Sequence, residues 1–141
     1  MKSRIIICGG RHFNDYEALE EKVDQVLDSL EMEISQIEIV SGHCVRADRL
    51  GEQYAENHQV KCSVFPAEWK KHGRSAGPLR NSQMIRYASE SDRPVVIAFV
   101  SPRSRGTKDT VRKANREGME VFVYEYGYAE EFKAIDEKNS K

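Results

Sequence analysis

Between Pro66 and Asn81 the chain gathers the residue types that bind phosphorylated ligands. This stretch holds the lone tryptophan Trp69, the cations Lys70, Lys71, Arg74 and Arg80, and His72, with Gly73, Gly77, Pro66 and Pro78 as turn formers. Arginines at Arg74 and Arg80 can fork onto phosphate oxygens. Trp69 offers a flat face that either stacks on a base or anchors the loop in the core. Gly77-Pro78 favours a tight turn with Pro78 near the start of a helix. Arg80 and Asn81 then project from that helix toward a ligand edge. A connection this long and basic reads as a binding loop rather than a spacer.

Three further clusters carry candidate chemistry. Gly9-Gly10-Arg11 ends an apolar run; the glycines either let backbone amides approach a phosphate or only form a tight turn. Ser41-Gly42 ends a second apolar run, and Asp48 follows at the start of a helix. Asp48 can accept hydrogen bonds from a ribose, but favouring the helix dipole is the slightly stronger reading. Gly106-Thr107 follows the most hydrophobic run, and its amides form a second anion cradle with Thr107 in reach of capping a helix. Asp109, in the first turn of that helix, either compensates the dipole or faces Arg80 as an acid–base group. His43 and Cys44 are adjacent but lack a third ligand at metal spacing, so no metal site is expected.

These clusters need a scaffold, and the composition bounds it. The chain has 141 residues, 39% hydrophobic and 32% charged, which fits one globular domain with a core of its own. The net charge of −1 gives no global pull toward nucleic acid or membrane. The distribution is uneven: residues 14–38 carry nine acids against Lys22 alone, whereas residues 66–86 and 101–116 are basic. Cys8, Cys44 and Cys62 are an odd number at wide spacing, expected as reduced thiols of a cytoplasmic protein. No apolar run reaches the roughly 20 residues of a membrane span.

The pattern alternates strand and helix. Ile5-Ile6-Ile7 marks a buried strand over Arg4–Cys8. Asn14 with Glu17 three residues on predicts a capped helix with Tyr16, Leu19, Val23, Val26, Leu27 and Leu30 inward. Strands are expected over Ile37–Ser41, Val60–Phe65, Pro94–Val100 and Val121–Tyr124. Helices follow around Ala47–Ala55, around Met84–Ala88 and from Gly106 to Gly118. Strict alternation implies a three-layer Rossmann-like α/β domain, with a five-stranded parallel sheet in the order 3-2-1-4-5. Ligands of such sheets bind outside the carboxyl ends of the strands, between strands one and four here.

The motifs also carry a resemblance. Gly9-Gly10-Arg11-His12-Phe13-Asn14-Asp15 resembles the GSRxFxD opening of the YspA-like branch of the SLOG superfamily. Pro66-Ala67-Glu68-Trp69 with Gly73-Arg74-Ser75-Ala76-Gly77-Pro78-Leu79-Arg80-Asn81 and Met84 is similar to its PADWxxxGRxAGPxRNxxM. Arg105-Gly106-Thr107-Lys108-Asp109 resembles its GGxGTxD. In the second loop, His43 and Arg46 stand where the pattern SGGAxGAD has glycines.

The superfamily includes DprA and the LOG phosphoribohydrolases. The resemblance implies a nucleotide-binding domain over residues 1–127, and the spacing of Tyr128, Phe132 and Ile135 predicts a short helix before a polar tail over 128–141. It implies binding or sensing of a nucleotide-derived small molecule, with no cofactor, through Gly9, Gly10, Arg11, Ser41, Gly42, Asp48, Trp69, Arg74, Gly77, Arg80, Asn81, Gly106 and Thr107. The alternative it implies is an N-glycosidic hydrolase acting on a nucleotide with Arg80 and Asp109 as catalytic residues. A single-stranded DNA binder ranks third, and apolar helix faces leave a homo-oligomer open.

Overall fold

The computed structural model describes residues 2–44 and 47–126. Five parallel strands form one sheet: β1 (Ser3–Gly9), β2 (Ile37–Ser41), β3 (Cys62–Val64), β4 (Val95–Val100) and β5 (Glu120–Glu125), in the order β3-β2-β1-β4-β5. This is the Rossmann-like architecture expected from the alternation. The helices are α1 (Tyr16–Ser29), α2 (Ala47–Asn57), the four-residue α3 (Trp69–His72), α4 (Ala76–Ser89) and α5 (Arg105–Arg116).

The period-two geometry of the central strands sorts the core into two layers. Ile5, Ile7, Ile39, Val95 and Ile97 pack with Leu19, Val23 and Tyr54 on the α1/α2 face. Ile6, Cys8, Val40, Val96 and Ala98 pack with Met84, Ile85, Ala88 and Ala114 on the α4/α5 face. Ile5, Ile6 and Ile7 are fully buried, each contributing about 1.5–3 kcal/mol of hydrophobic stabilisation. A strand covered on both sides must be apolar at every position, as the run of isoleucines is.

Local starts and stops differ from expectation in instructive ways. Asp15, not Asn14, caps α1: its carboxylate accepts the Ala18 N–H at 3.0 Å. β3 is shorter than Val60–Phe65 because the Val60 N–H bonds back to the Ala55 carbonyl at the end of α2. Residues 66–75 hold α3 and a 3-10 turn (Gly73–Ser75). Pro78 is the third residue of α4, where its missing N–H costs nothing. The tail helix expected over 128–141 lies outside the described residues.

A buried carboxylate ties α4 to the sheet. Glu38 on β2 is almost fully buried and accepts hydrogen bonds from the Tyr87 and Ser63 hydroxyls, with Arg4 and Lys61 nearby. Arg4 also lies 3.6 Å above the Tyr87 ring. Burial raises the Glu38 carboxyl, but the two hydroxyl bonds and the cations outweigh it and hold it below its ordinary value. This fixes the helix that carries Arg80.

Candidate functional site

The loops leaving β1, β2, β3 and β4 converge at the carboxyl edge of the sheet around a cleft of about 840 Å³. Its wall carries Arg11, Arg80, Arg103 and Arg105, together with His12 and His43, and among the described residues it holds no Asp or Glu. Charge of one sign against low-dielectric walls concentrates the field inside the cleft.

On one side stands the start of α5. Ser104 occupies its cap position, yet its side chain makes no cap bond. The Ser104 hydroxyl instead lies 2.9 Å from the Ser101 N–H and 3.0 Å from the Ser101 hydroxyl. Arg105 N–H bonds the Arg103 carbonyl and Lys108 N–H the Ser104 carbonyl. Among the described residues the Gly106 and Thr107 amides between them have no acceptor, as the first turn of a helix has no internal acceptors. A Cβ at Gly106 would meet no described atom within 4 Å. Free amides and the positive end of the helix dipole coincide there.

The second loop is organised from beneath by Asp48, which is 4% exposed. Its carboxylate takes backbone hydrogen bonds from Cys44, Gly9 and Gly42 and feels the charge of Arg80. Burial dominates and pushes the carboxyl up to about 6, despite the opposing pull of Arg80 and the amides. Asp48 therefore occupies the amide nest that an outside anion would otherwise fill. Arg80, 7% exposed, donates from Nη1 to the Gly42 carbonyl at 2.5 Å and from Nε to the Asn81 side-chain oxygen at 2.8 Å. Gly42 must lack a Cβ, which would sit 2.8 Å from both Arg80 Nη1 and Asp48 Oδ2.

Gly9 and Gly10 line the cleft, but their amides are spoken for. The Gly9 N–H serves Asp48, and the Gly10 N–H donates to the Phe99 carbonyl at 3.0 Å. Close packing explains both glycines. A Cβ at Gly9 would lie 2.4 Å from the Ala47 Cβ, and one at Gly10 would lie 2.4 Å from the Ser104 hydroxyl. The next residue, Arg11, is exposed at the rim.

The structure brings Gly9, Gly10, Arg11, Gly42, Trp69, Arg80, Gly106 and Thr107 to the cleft wall. Ser41, Asp48, Gly77 and Asn81 lie behind it as supports. Trp69 is 57% exposed and packs over Gly77, where an added Cβ would meet the indole at 3.4 Å. Arg74 is exposed on the 3-10 turn and is not part of the wall.

Asp109 is also outside the wall. Its carboxylate accepts from Asn81 at 3.0 Å, from Lys113 at 2.9 Å and from Arg112. Burial raises this carboxyl, but the Lys113 and Asn81 bonds and both cations win and hold it below its ordinary value. A depressed carboxyl stabilises the fold above its unfolded value, and that contribution disappears as pH falls through the folded value. Asp109→Asn should therefore be less stable than the parent at pH 7. Urea unfolding at stepped pH should show the gap closing below about pH 4, the ordinary Asp range. A gap constant across that range would remove the ion-pair account.

Sequence reasoning left His43, Cys44, Ser101, Ser104, Arg103 and Arg105 out of the site. His43 adopts φ 59°, a left-handed conformation uncommon for a residue with a side chain. Its one visible signal was standing where the family pattern has glycine.

A sheet ordered 3-2-1-4-5, with a loop-lined cleft at its carboxyl edge, defines a Rossmann-like α/β domain. The chain belongs to the YspA, cpYpsA-related SLOG family, which it matches over residues 3–72. It is similar to the Gene 61 protein of Mycobacterium phage D29, with 30% identity over 126 residues, covering 86% of this chain and 95% of that protein. No solved structure matches the chain significantly. Membership is consistent with a nucleotide-related role. Among the described residues no helix is long and apolar enough to cross a membrane, and no group of three or more His, Cys, Asp or Glu is placed to hold a metal.

Proposed function

We propose that this protein binds a nucleotide or nucleotide-derived ligand in the cleft, as a sensor or binding module. The observation that carries the reading is the wall itself: among the described residues it has four arginines, two histidines, an uncapped helix N-terminus and no carboxylate. Phosphate oxygens would meet the Gly106 and Thr107 amides, with Arg105 beside them. Arg80, already oriented by Gly42 and Asn81, would set the field at the cleft base. Trp69, half exposed on one wall, suits a base or sugar face. The hydrolase reading asks for a carboxylate in contact with the reacting sugar, and the oxygens of Asp109 are engaged by Asn81, Arg112 and Lys113.

Trp69 is the sole tryptophan, so intrinsic fluorescence reports on the cleft directly. Titration with nucleoside 5′-monophosphates, ADP-ribose and NAD should change its emission saturably for at least one member. Trp69→Ala should weaken that ligand by roughly tenfold or more when followed by calorimetry, the usual worth of one base–aromatic stack. Folded protein with no saturable response to any of them would overturn the reading.

A further inference from the structure

We infer that His43 heads a second anion subsite, on the β2 side of the cleft, so that the ligand carries two separated anionic groups. The inference rests on the binding reading above and adds the class of ligand.

Among the described residues of the second loop, the Gly42 and Cys44 amides already donate to Asp48 and do not serve this group. His43 is what the loop offers instead, and two contacts and its backbone conformation fix it. Its Nδ1 lies 2.8 Å from Glu52 Oε2, its N–H donates to the Ser41 hydroxyl at 3.0 Å, and its backbone is held at φ 59°. Glu52 is itself anchored: the Ser41 hydroxyl donates to the same Oε2 at 2.7 Å, and Arg49 Nε lies 3.8 Å from Oε1. A non-glycine left-handed residue survives only where its surroundings impose it, and such residues gather at functional sites.

With Nδ1 committed to Glu52, Nε2 is the ring nitrogen left for the cleft that His43 lines. As an imidazolium the ring donates through both nitrogens, to Glu52 and to an incoming anion. Arg80 lies on the same side, bonded to Gly42, and its Nη2 makes no hydrogen bond among the described residues. The start of α5 is elsewhere. β2 and β4 flank β1, so the roots of their loops are two strand spacings apart, about 10 Å. Side chains reaching inward would bring the two places toward the separation of two phosphates on one ribose, and one phosphate could not serve both.

The test compares 5′-monophosphates of the four common nucleosides with the matching 3′,5′-bisphosphates by calorimetry. At least one bisphosphate should bind about 10-fold or more tighter than its monophosphate, the worth of one charge-assisted hydrogen bond. His43→Asn keeps a residue tolerant of the left-handed backbone. In that variant, and in Glu52→Gln, the advantage of the bisphosphate over its monophosphate should shrink to within about 2-fold. If no bisphosphate binds tighter than its monophosphate, the second subsite is overturned. An equal weakening of both ligand types by His43→Asn overturns it too. Parent protein that binds monophosphates but gains nothing from the second phosphate refutes this inference alone; parent protein that binds none of these ligands, nor ADP-ribose or NAD, refutes the binding reading beneath it.

Discussion

Arg80→Ala should be the most damaging single substitution in the cleft, costing about 3–5 kcal/mol of stability at pH 7 and abolishing anion binding. Arg80 bonds the Gly42 carbonyl and its charge opposes the burial penalty on Asp48. Removing it leaves a buried carboxylate with only backbone amides for company. Asp48 then has one escape, which is to take up a proton, so the cost should shrink at pH 5. Arg80→Ala with Asp48→Asn should recover much of the lost stability, since no buried charge remains, yet recover no binding. Urea unfolding of the four proteins of this cycle measures the first effect and calorimetry the second. A double variant as unstable as Arg80→Ala alone would break the link between the two residues.

The same pair sets a pH dependence in the parent protein. The folded Asp48 carboxyl titrates at about 6 against an ordinary 3.8. The folded state thus holds a proton that the unfolded chain has already lost. Stability from this group is fully present below about pH 4 and is lost as pH rises through 6, a swing of about 3 kcal/mol. Asp48→Asn should lack that slope.

Gly9→Ala should cost about 3 kcal/mol, at the upper end for an overpacked core. The added methyl would sit 2.4 Å from the Ala47 Cβ and 2.9 Å from the Phe99 carbonyl oxygen. Neither is the far end of a flexible side chain, so α2 or β4 must move. Adding Ala47→Gly removes the first collision and leaves the second, so the pair should regain part of the loss in the urea midpoint. If Gly9→Ala unfolds with the parent, α2 does not press on β1 as described. Because α2 carries Asp48 and Glu52, any shift of this helix should also weaken ligand binding.

Most of the scaffold was legible because burial on two faces demands unbroken apolar runs, and Ile5-Ile6-Ile7 and Val95–Val100 supply them. The edge strand β3 was misjudged because its length depends on which β2 residues pair with it, a tertiary matter. The cap of α1 moved by one residue because Asn14 and Asp15 are both competent caps and only geometry chooses.

The site was legible in part. The basic, glycine-punctuated stretch and the turn after β4 announced themselves by composition. Asp48 stood among the candidates, but its supporting role was hidden: an acid in the first turn of a helix has an ordinary dipole explanation, and nothing in its spacing reveals three amides from the end of β1 and the second loop pointing at it. The partnership of His43 with Glu52, nine residues apart across a turn and a helix, follows no periodicity. Glycines hid in the opposite sense, because Gly9 and Gly10 serve packing where their type suggested phosphate contact.

The unused cap of α5 carries a consequence for the thermodynamics of the whole molecule. A serine in that place ordinarily contributes about 1 kcal/mol, and here the hydroxyl is spent on Ser101. The helix thus goes without the stabilisation of a side-chain cap. An anion bound there as proposed would complete the helix and link occupancy to folding, with slower amide exchange at Gly106 and Thr107 as the expected first sign.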